Sequence, residues 1–144
     1  MLQLPKESLV EIEMLRSIAP KLKNPEPLNK VIWKYYYEKP YTDLVGRIIG
    51  NKTIIGIYKI TNTLNNKVYV GQSNDIAARF KQHIKRGLGA EAPTNNKLYP
   101  AMLEEGVENF SFELIEECLP TELNEKEKYW QNFFGAKEYG YSIK

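Results

Sequence analysis

Apolar residues recur along this chain with two different periods, and the switch between them falls at Thr53. Before it the spacing is helical. Leu9, Ile12, Met14, Leu15 and Ile18 predict an amphipathic helix from Lys6 to Ala19, stopped by Pro20. Asn24-Pro25-Glu26 reads as a helix N-cap, a proline at the first helical position and an acidic first turn. The helix it starts is predicted to run to about Glu38, because the residue before Pro40 is biased away from helical conformation. A short connector follows around Tyr41 to Lys52. Residues 1–52 are thus expected to form a helical N-terminal extension.

From Thr53 the pattern alternates. Thr53 to Asn62 and Lys67 to Gly71 read as two strands, with Leu64-Asn65-Asn66-Lys67 as a tight hairpin turn. With a two-residue loop, Ile55, Ile57, Val68 and Val70 share one face, and Tyr58, Ile60 and Tyr69 share the other. Ser73-Asn74-Asp75 offers capping side chains for a helix to about Arg86, with Gly87 as its stop and Ile76, Phe80 and Ile84 as its apolar stripe. Asn95 to Glu105 predicts a further helix, interrupted or started late by Pro100 and closed by Gly106. Phe110, Phe112 and Leu114 alternate as a third strand. Pro120-Thr121 precedes a last helix from about Glu122 to Phe134. The order implies an α+β fold over residues 53–144: a small mixed or antiparallel three-stranded sheet flanked by helices.

Composition narrows the chemistry. With 144 residues, 42% hydrophobic and 26% charged, the chain is expected to form an ordinary globular core, with neither a membrane span nor a secretory signal. Cys118 is the single cysteine, so no disulfide or cysteine-based metal cluster forms within the chain. His83 is the single histidine, which excludes multi-histidine zinc sites; any metal must be held mainly by oxygen, as magnesium-like ions are. The net charge of +2 is too small to identify a nucleic-acid partner, so the distribution of charge matters more than its sum.

On the last helix, Leu123, Trp130 and Phe134 cluster on one face and Glu127 falls between them. An ionised carboxylate in an apolar stripe is costly unless it is paired or binds a metal. A buried ion pair with a lysine or arginine and a metal ligand both satisfy that requirement. Arg79 and His83, four residues apart, share one helix face beside the apolar stripe, with Lys81, Lys85 and Arg86 around them. Such a helix can hold a phosphate backbone, with an arginine gripping the scissile phosphate through two hydrogen bonds. The alternative is a solvated basic face with Arg79 snorkelling and His83 packing. Tyr58 and Tyr69 are two of ten tyrosines, most of them expected to pack, and a phenol serves as a base only with help from charge or hydrogen bonds.

The ordered combination is more specific than its parts. Gly56-Ile57-Tyr58, a turn, Tyr69-Val70-Gly71, Arg79 on the next helix and Glu127 before Tyr129-Trp130 together resemble the GIY-YIG nuclease family, from about Ile55 to Ser142. The similarity is greatest to the phage and intron homing endonuclease branch, through the run Gly56 to Gly71 and the Glu-Lys-Tyr-Trp segment at Glu127. The resemblance implies a divalent-metal-dependent endonuclease acting on DNA. Glu127 would be the one carboxylate ligand of Mg2+ or Mn2+. Tyr58 would accept a proton from the attacking water, directly or through a metal-bound water, and Tyr69 would hydrogen-bond to and position Tyr58, the nucleophile or the phosphate. Arg79 would stabilise charge on the phosphate, with His83 assisting nearby. Lys81, Lys85, Arg86 and Ser142 would contact DNA.

Two positions depart from the family pattern. The second histidine that homing members often carry after the first helix is missing, with Pro93-Thr94-Asn95-Asn96 in that region, and Ser142 stands where they tend to have asparagine. The rival reading is a GIY-YIG-fold DNA-binding module that has lost catalysis; the intact tyrosines, Arg79 and Glu127 argue against it. In the extension, Trp33-Lys34-Tyr35-Tyr36-Tyr37 is expected to pack onto the core, the other uses being stacking on nucleic acid, covering the site or dimerisation. Monomer and homodimer both remain open, as does the DNA target. Residence in the cytoplasm of a microbe or phage-infected cell is expected from the resemblance and the cysteine usage.

Overall fold

The central strand is buried on both of its faces, and the reason is the layering around it. The computed structural model describes residues 6–18, 21–23, 26–50, 52–89, 95 and 97–143. The predicted stop at Pro20, the cap at Asn24-Pro25 and the stretch Pro93-Thr94 with Asn96 lie outside those residues. Strand β1 (Gly56–Asn62) pairs antiparallel with β2 (Val68–Ser73) on one side and β3 (Phe110–Glu117) on the other. Around this sheet, in chain order, lie α1 (Lys6–Ile18), α2 (Glu26–Ile32), α3 (Glu38–Ile49), α4 (Ile76–Gly87), α5 (Leu98–Glu105) and α6 (Leu123–Phe134). Helices α1 to α5 contribute to a hydrophobic cluster with Tyr58, Ile60, Phe110 and Phe112 on one face of the sheet. Helix α6 covers the opposite face, where Leu123 packs with Ile57 and Val70. The α+β fold with an antiparallel three-stranded sheet is the expected one.

The hairpin differs from the predicted one in a way that leaves its faces unchanged. Thr61 pairs with Val68, and Asn62 donates its backbone N–H to the Lys67 carbonyl at 2.9 Å, so residues 63–66 form a four-residue loop. Asn66 takes the left-handed conformation at φ 63°, which asparagine tolerates better than most residues. Relative to a two-residue loop the register is displaced by two, an even number, and each side chain therefore keeps its side of the sheet. On β3 the pairing jumps from Tyr58↔Leu114 to Ile57↔Glu116. The extra residue, Ile115, is a bulge that brings Glu116 under α6. There Glu116 accepts from the Trp130 indole N–H at 3.0 Å and from Lys126 Nζ at 2.5 Å, and the lysine holds its carboxyl below the usual range.

The predicted helix end before Pro40 and the connector at Tyr41–Lys52 are corrected by the structure. A wide π turn at Trp33–Tyr37 separates α2 from α3, and the chain continues as helix through Pro40 to Ile49. Tyr37 stands at the N-cap position of α3 without a side-chain cap bond, which makes Pro40 its third residue. The π turn runs straight into this helix, with the Glu38 N–H donating to the Trp33 carbonyl five residues back, so Pro40 follows a widened turn rather than a regular one. Tyr41, Val45 and Ile49, four apart, then form one buried stripe. Trp33, Tyr37 and Ile12 join the same cluster as the sheet residues, so the N-terminal helices pack on the core.

Candidate functional site

Tyr58 is fixed before any function is considered. Its side chain has no exposed surface, its ring packs edge-on to Phe80 at 5.2 Å, and it lies opposite Gly71 across the hairpin. A Cβ at Gly71 would stand 2.6 Å from the Tyr58 hydroxyl oxygen, so only glycine leaves room for the phenol. Gly56 is required for a different reason: its Cβ would stand 2.2 Å from the Glu116 carbonyl oxygen in the neighbouring strand. Both motif glycines are thus close approaches.

Helix α4 delivers the basic and imidazole groups. Asp75 caps it by accepting from the Ala78 N–H at 3.2 Å, as expected, and Ile76, Phe80 and Ile84 are fully buried. That anchoring turns His83 inward. Its Nε2 lies 2.6 Å from the Tyr58 hydroxyl, and its Nδ1 lies 2.8 Å from the Tyr99 hydroxyl. Burial, with the positive charges of Arg79 and Arg86 behind it, holds His83 well below its ordinary pKa, so the imidazole is neutral. Burial also raises Tyr58 well above the usual phenol value, against the opposing pull of the Arg79 charge beside it. Tyr69 is raised too, chiefly by burial and against the pull of Arg79, and its ring packs against those of Tyr58 and His83. Burial works to lower Arg79, but its tyrosine neighbours outweigh that effect.

These groups border a cavity of about 450 Å³ whose walls include Tyr69, Arg79, Arg86, Tyr99, Glu127 and Ser142. Glu127 reaches it from α6. That carboxylate is half-buried at the edge of the apolar stripe rather than within it, and Gln131, one turn on, lines the same wall. Ser142 is tied to the edge of β2: its hydroxyl accepts from the Val70 N–H at 3.0 Å and donates to the Val70 carbonyl at 3.1 Å. Gln131 donates to the same carbonyl at 3.2 Å. Of the predicted site residues, Tyr69, Arg79, Arg86, Glu127 and Ser142 therefore meet at one cavity, with Tyr58 and His83 behind its wall. Lys81 and Lys85 do not line it; Lys85 extends over the Trp33 ring at 5.7 Å.

Gln131, Asn95 and Tyr99 are among the cavity residues that were missed from the sequence. Gln131 was visible in principle, four residues after Glu127 on the same helix face. Asn95 caps α5 by accepting from the Lys97 and Leu98 N–H groups and donates to the Tyr141 carbonyl, a tertiary bond with no local signal. Tyr99 is the second residue of α5, and its pattern is that of an ordinary packing residue.

The donor set also limits what metal could be held. Among the described residues no group of three or more His, Cys, Asp or Glu side chains could hold a metal ion. The cavity instead offers one carboxylate with the amide oxygens of Gln72 and Gln131, the Asn95 oxygen being taken by the Lys97 and Leu98 N–H groups. A hard cation that keeps most of its water and takes remaining ligands from a substrate phosphate suits such a set; a structural zinc does not. Among the described residues no helix is long and apolar enough to cross a membrane.

Comparison with known proteins bears on the same region. The model of a family described as the GIY-YIG catalytic domain matches residues 54–140. Intron-associated endonuclease 1 of Enterobacteria phage T4 is 38% identical over 91 residues, which cover 61% of this chain and 36% of that relative. The chain thus spans well under half of the relative's length. The solved catalytic domain of the homing endonuclease I-TevI superposes with a TM-score of 0.55 at 33% identity, covering 62% of this chain and 98% of that domain. A glutamate-to-alanine mutant of the I-TevI catalytic domain gives a TM-score of 0.56 at 33% identity, over 63% and 94%.

Proposed function

The chain belongs to the GIY-YIG catalytic domain family, and from that membership we propose that it is a divalent-metal-dependent endonuclease hydrolysing phosphodiester bonds in DNA. The observation that carries this reading is the meeting of a guanidinium, a carboxylate and two phenols at one polar cavity. A pure packing arrangement has no use for Arg79 and Glu127 on opposite elements of the same opening. A phosphodiester needs both: positive charge for its oxygens, and an anion to hold the cation that approaches with it.

In this mechanism Arg79 donates to the non-bridging oxygens as charge accumulates there, and Arg86 holds the strand from the same helix. Water attacks phosphorus, a new P–O bond forms, and the bond to the leaving sugar oxygen breaks. The attacking water must lose a proton, and Tyr58 is its destination. Tyr58 has no exposed surface, so it acts as a phenolate that receives the proton through Tyr69, which takes one from the water as it passes its own on. Glu127 would hold Mg2+ or Mn2+ with neighbouring amide oxygens. When bound, that ion supplies positive charge against the phosphate and makes nearby water more acidic. Burial alone keeps Tyr58 protonated, so its work as a base depends on the donors around it.

The test is cleavage of supercoiled plasmid with magnesium, beside EDTA and a Glu127→Ala variant. Nicking or linearisation that disappears in both controls is the expected result. Retained DNA binding without cleavage by the unaltered protein, across several divalent ions, would overturn the reading in favour of a silent binding module.

A further inference from the structure

His83 is held at both ring nitrogens by phenols, and only one of those phenols belongs to the family motif. Tyr58 lies on Nε2 at 2.6 Å and Tyr99 on Nδ1 at 2.8 Å, and all three side chains are at most 3% exposed. We propose that Tyr99 is a positioning residue: its hydroxyl donates to Nδ1 of His83, fixes the Nε2–H tautomer, and thereby aims an N–H donor at the Tyr58 oxygen. The inference rests on the reading of Tyr58 as the proton acceptor and extends it to a residue on α5.

Counting protons selects this direction. A neutral imidazole has one N–H and one bare nitrogen, so it donates to one phenol and accepts from the other. Arg79 lies beside Tyr58 and has only donors, so it can meet a lone pair of the phenol oxygen but cannot accept from it. The Tyr58 oxygen that takes a proton through Tyr69 is a phenolate, with no proton of its own to direct. What remains on Tyr58 is a second lone pair, and it needs a donor. Nε2–H supplies one, Nδ1 is left bare, and Tyr99 fills it.

The opposite tautomer would face a bare Nε2 with the Tyr58 oxygen. It would serve while Tyr58 keeps its proton and directs it to the ring, but it becomes repulsive once Tyr58 is a phenolate. With Tyr99 in place no ring proton has to move between those two states. While it carries charge, before accepting a proton through Tyr69, Tyr58 is met by Arg79 and Nε2–H together. A buried anion is tolerable only when it is satisfied in this way.

Because the chain holds one histidine, nitrogen-15 NMR of the imidazole reads this directly. In the unaltered protein near neutral pH, Nε2 should carry the proton and Nδ1 should show the shift of a bare, hydrogen-bonded nitrogen. Tyr99→Phe keeps the ring and removes the hydroxyl; it should move both ring nitrogens, lower kcat on plasmid by about tenfold to a hundredfold, and leave KM for DNA unchanged. An Nδ1–H tautomer in the unaltered protein would overturn the proposal, without any need for a folded variant. Unmoved ring nitrogens, or an unchanged kcat, in a folded Tyr99→Phe protein would overturn it as well. Absence of cleavage by the unaltered protein would count against the nuclease reading, while the tautomer would still be read from the spectrum.

Discussion

Gly71 and Tyr58 face each other across the β1–β2 pair, and the phenol occupies the space into which any side chain at Gly71 would project. The glycine is therefore part of how Tyr58 is aimed. A Cβ there would meet the Tyr58 hydroxyl at 2.6 Å and Tyr69 Cε1 at 2.7 Å, and the Tyr58 ring is fully buried. Gly71→Ala should cost about 1–3 kcal/mol of stability through overpacking. Since a displacement of about 1 Å in a reacting group can cost roughly a hundredfold in rate, kcat should fall far more than the melting temperature suggests. Gly56→Ala makes a useful contrast. Its Cβ would collide with a backbone carbonyl at 2.2 Å, so that variant should lose the β1–β3 pairing and unfold at lower temperature. Full plasmid cleavage by Gly71→Ala would refute this account of the glycine.

Arg79 tests whether shape or charge is used at the phosphate. Its guanidinium donates from Nη1 to Gln82 Oε1 and lies beside Tyr58 and Tyr69 while lining the cavity, which uses several donors in a fixed plane. Lysine offers the charge without the fork. Arg79→Lys should lower kcat by about 10²–10³-fold while DNA affinity, measured by fluorescence anisotropy in EDTA, changes little. A lysine variant with normal kcat would mean that a point charge suffices.

The elements that were legible in the sequence are those whose signal is local. The two faces of the hairpin followed from alternation alone, and even a loop misjudged by two residues did not disturb them, because parity is what fixes a face. Helix α4 was legible from its cap and stripe. Helix α3 was not: Pro40 is a strong local breaker, whereas Tyr41, Val45 and Ile49 reveal a buried stripe only after the helix is known to continue. The site divides in the same way. Tyr58, Tyr69, Arg79 and Glu127 were found as an ordered set, since none is distinctive alone. Tyr99 and Asn95 owe their places to the packing of α5 against α4 and the C-terminal segment, and no spacing along the chain encodes that contact.

The N-terminal helices make a testable contribution to the stability of the whole molecule. Tyr37 has no exposed surface, stacks on Tyr41 at 5.6 Å, and donates from its hydroxyl to Glu108 at 3.1 Å. It belongs to the cluster that contains Tyr58 and Phe80. Truncation of a buried aromatic costs about 3–5 kcal/mol, so Tyr37→Ala should lower the urea midpoint of a single transition seen alike by fluorescence and circular dichroism. Two separated transitions in the unaltered protein would show that the extension unfolds independently of the sheet.

His83 gives the stability of the fold a pH dependence of definite sign. Burial, reinforced by Arg79 and Arg86, holds its folded pKa well below the value of about 6.5 expected when unfolded. Between those two values the unfolded chain binds a proton that the native protein does not. Stability is therefore fully present above about pH 6.5 and is lost as pH falls toward the folded pKa, with a slope approaching 1.4 kcal/mol per pH unit from this one residue, roughly the value of 2.303RT. Glu116, the one carboxyl held low by Lys126 and Trp130, adds its own loss only near and below the ordinary carboxylate range, so pH 5 to 6.5 isolates the histidine. Thermal or urea unfolding across that window should show stability rising with pH in the unaltered protein. A His83→Gln variant, which keeps a polar side chain between Tyr58 and Tyr99 but cannot titrate, should lack the slope even though it is less stable throughout. Parallel pH profiles for the two proteins would mean that His83 is already protonated in the native state, and a protonated ring could not accept from Tyr99.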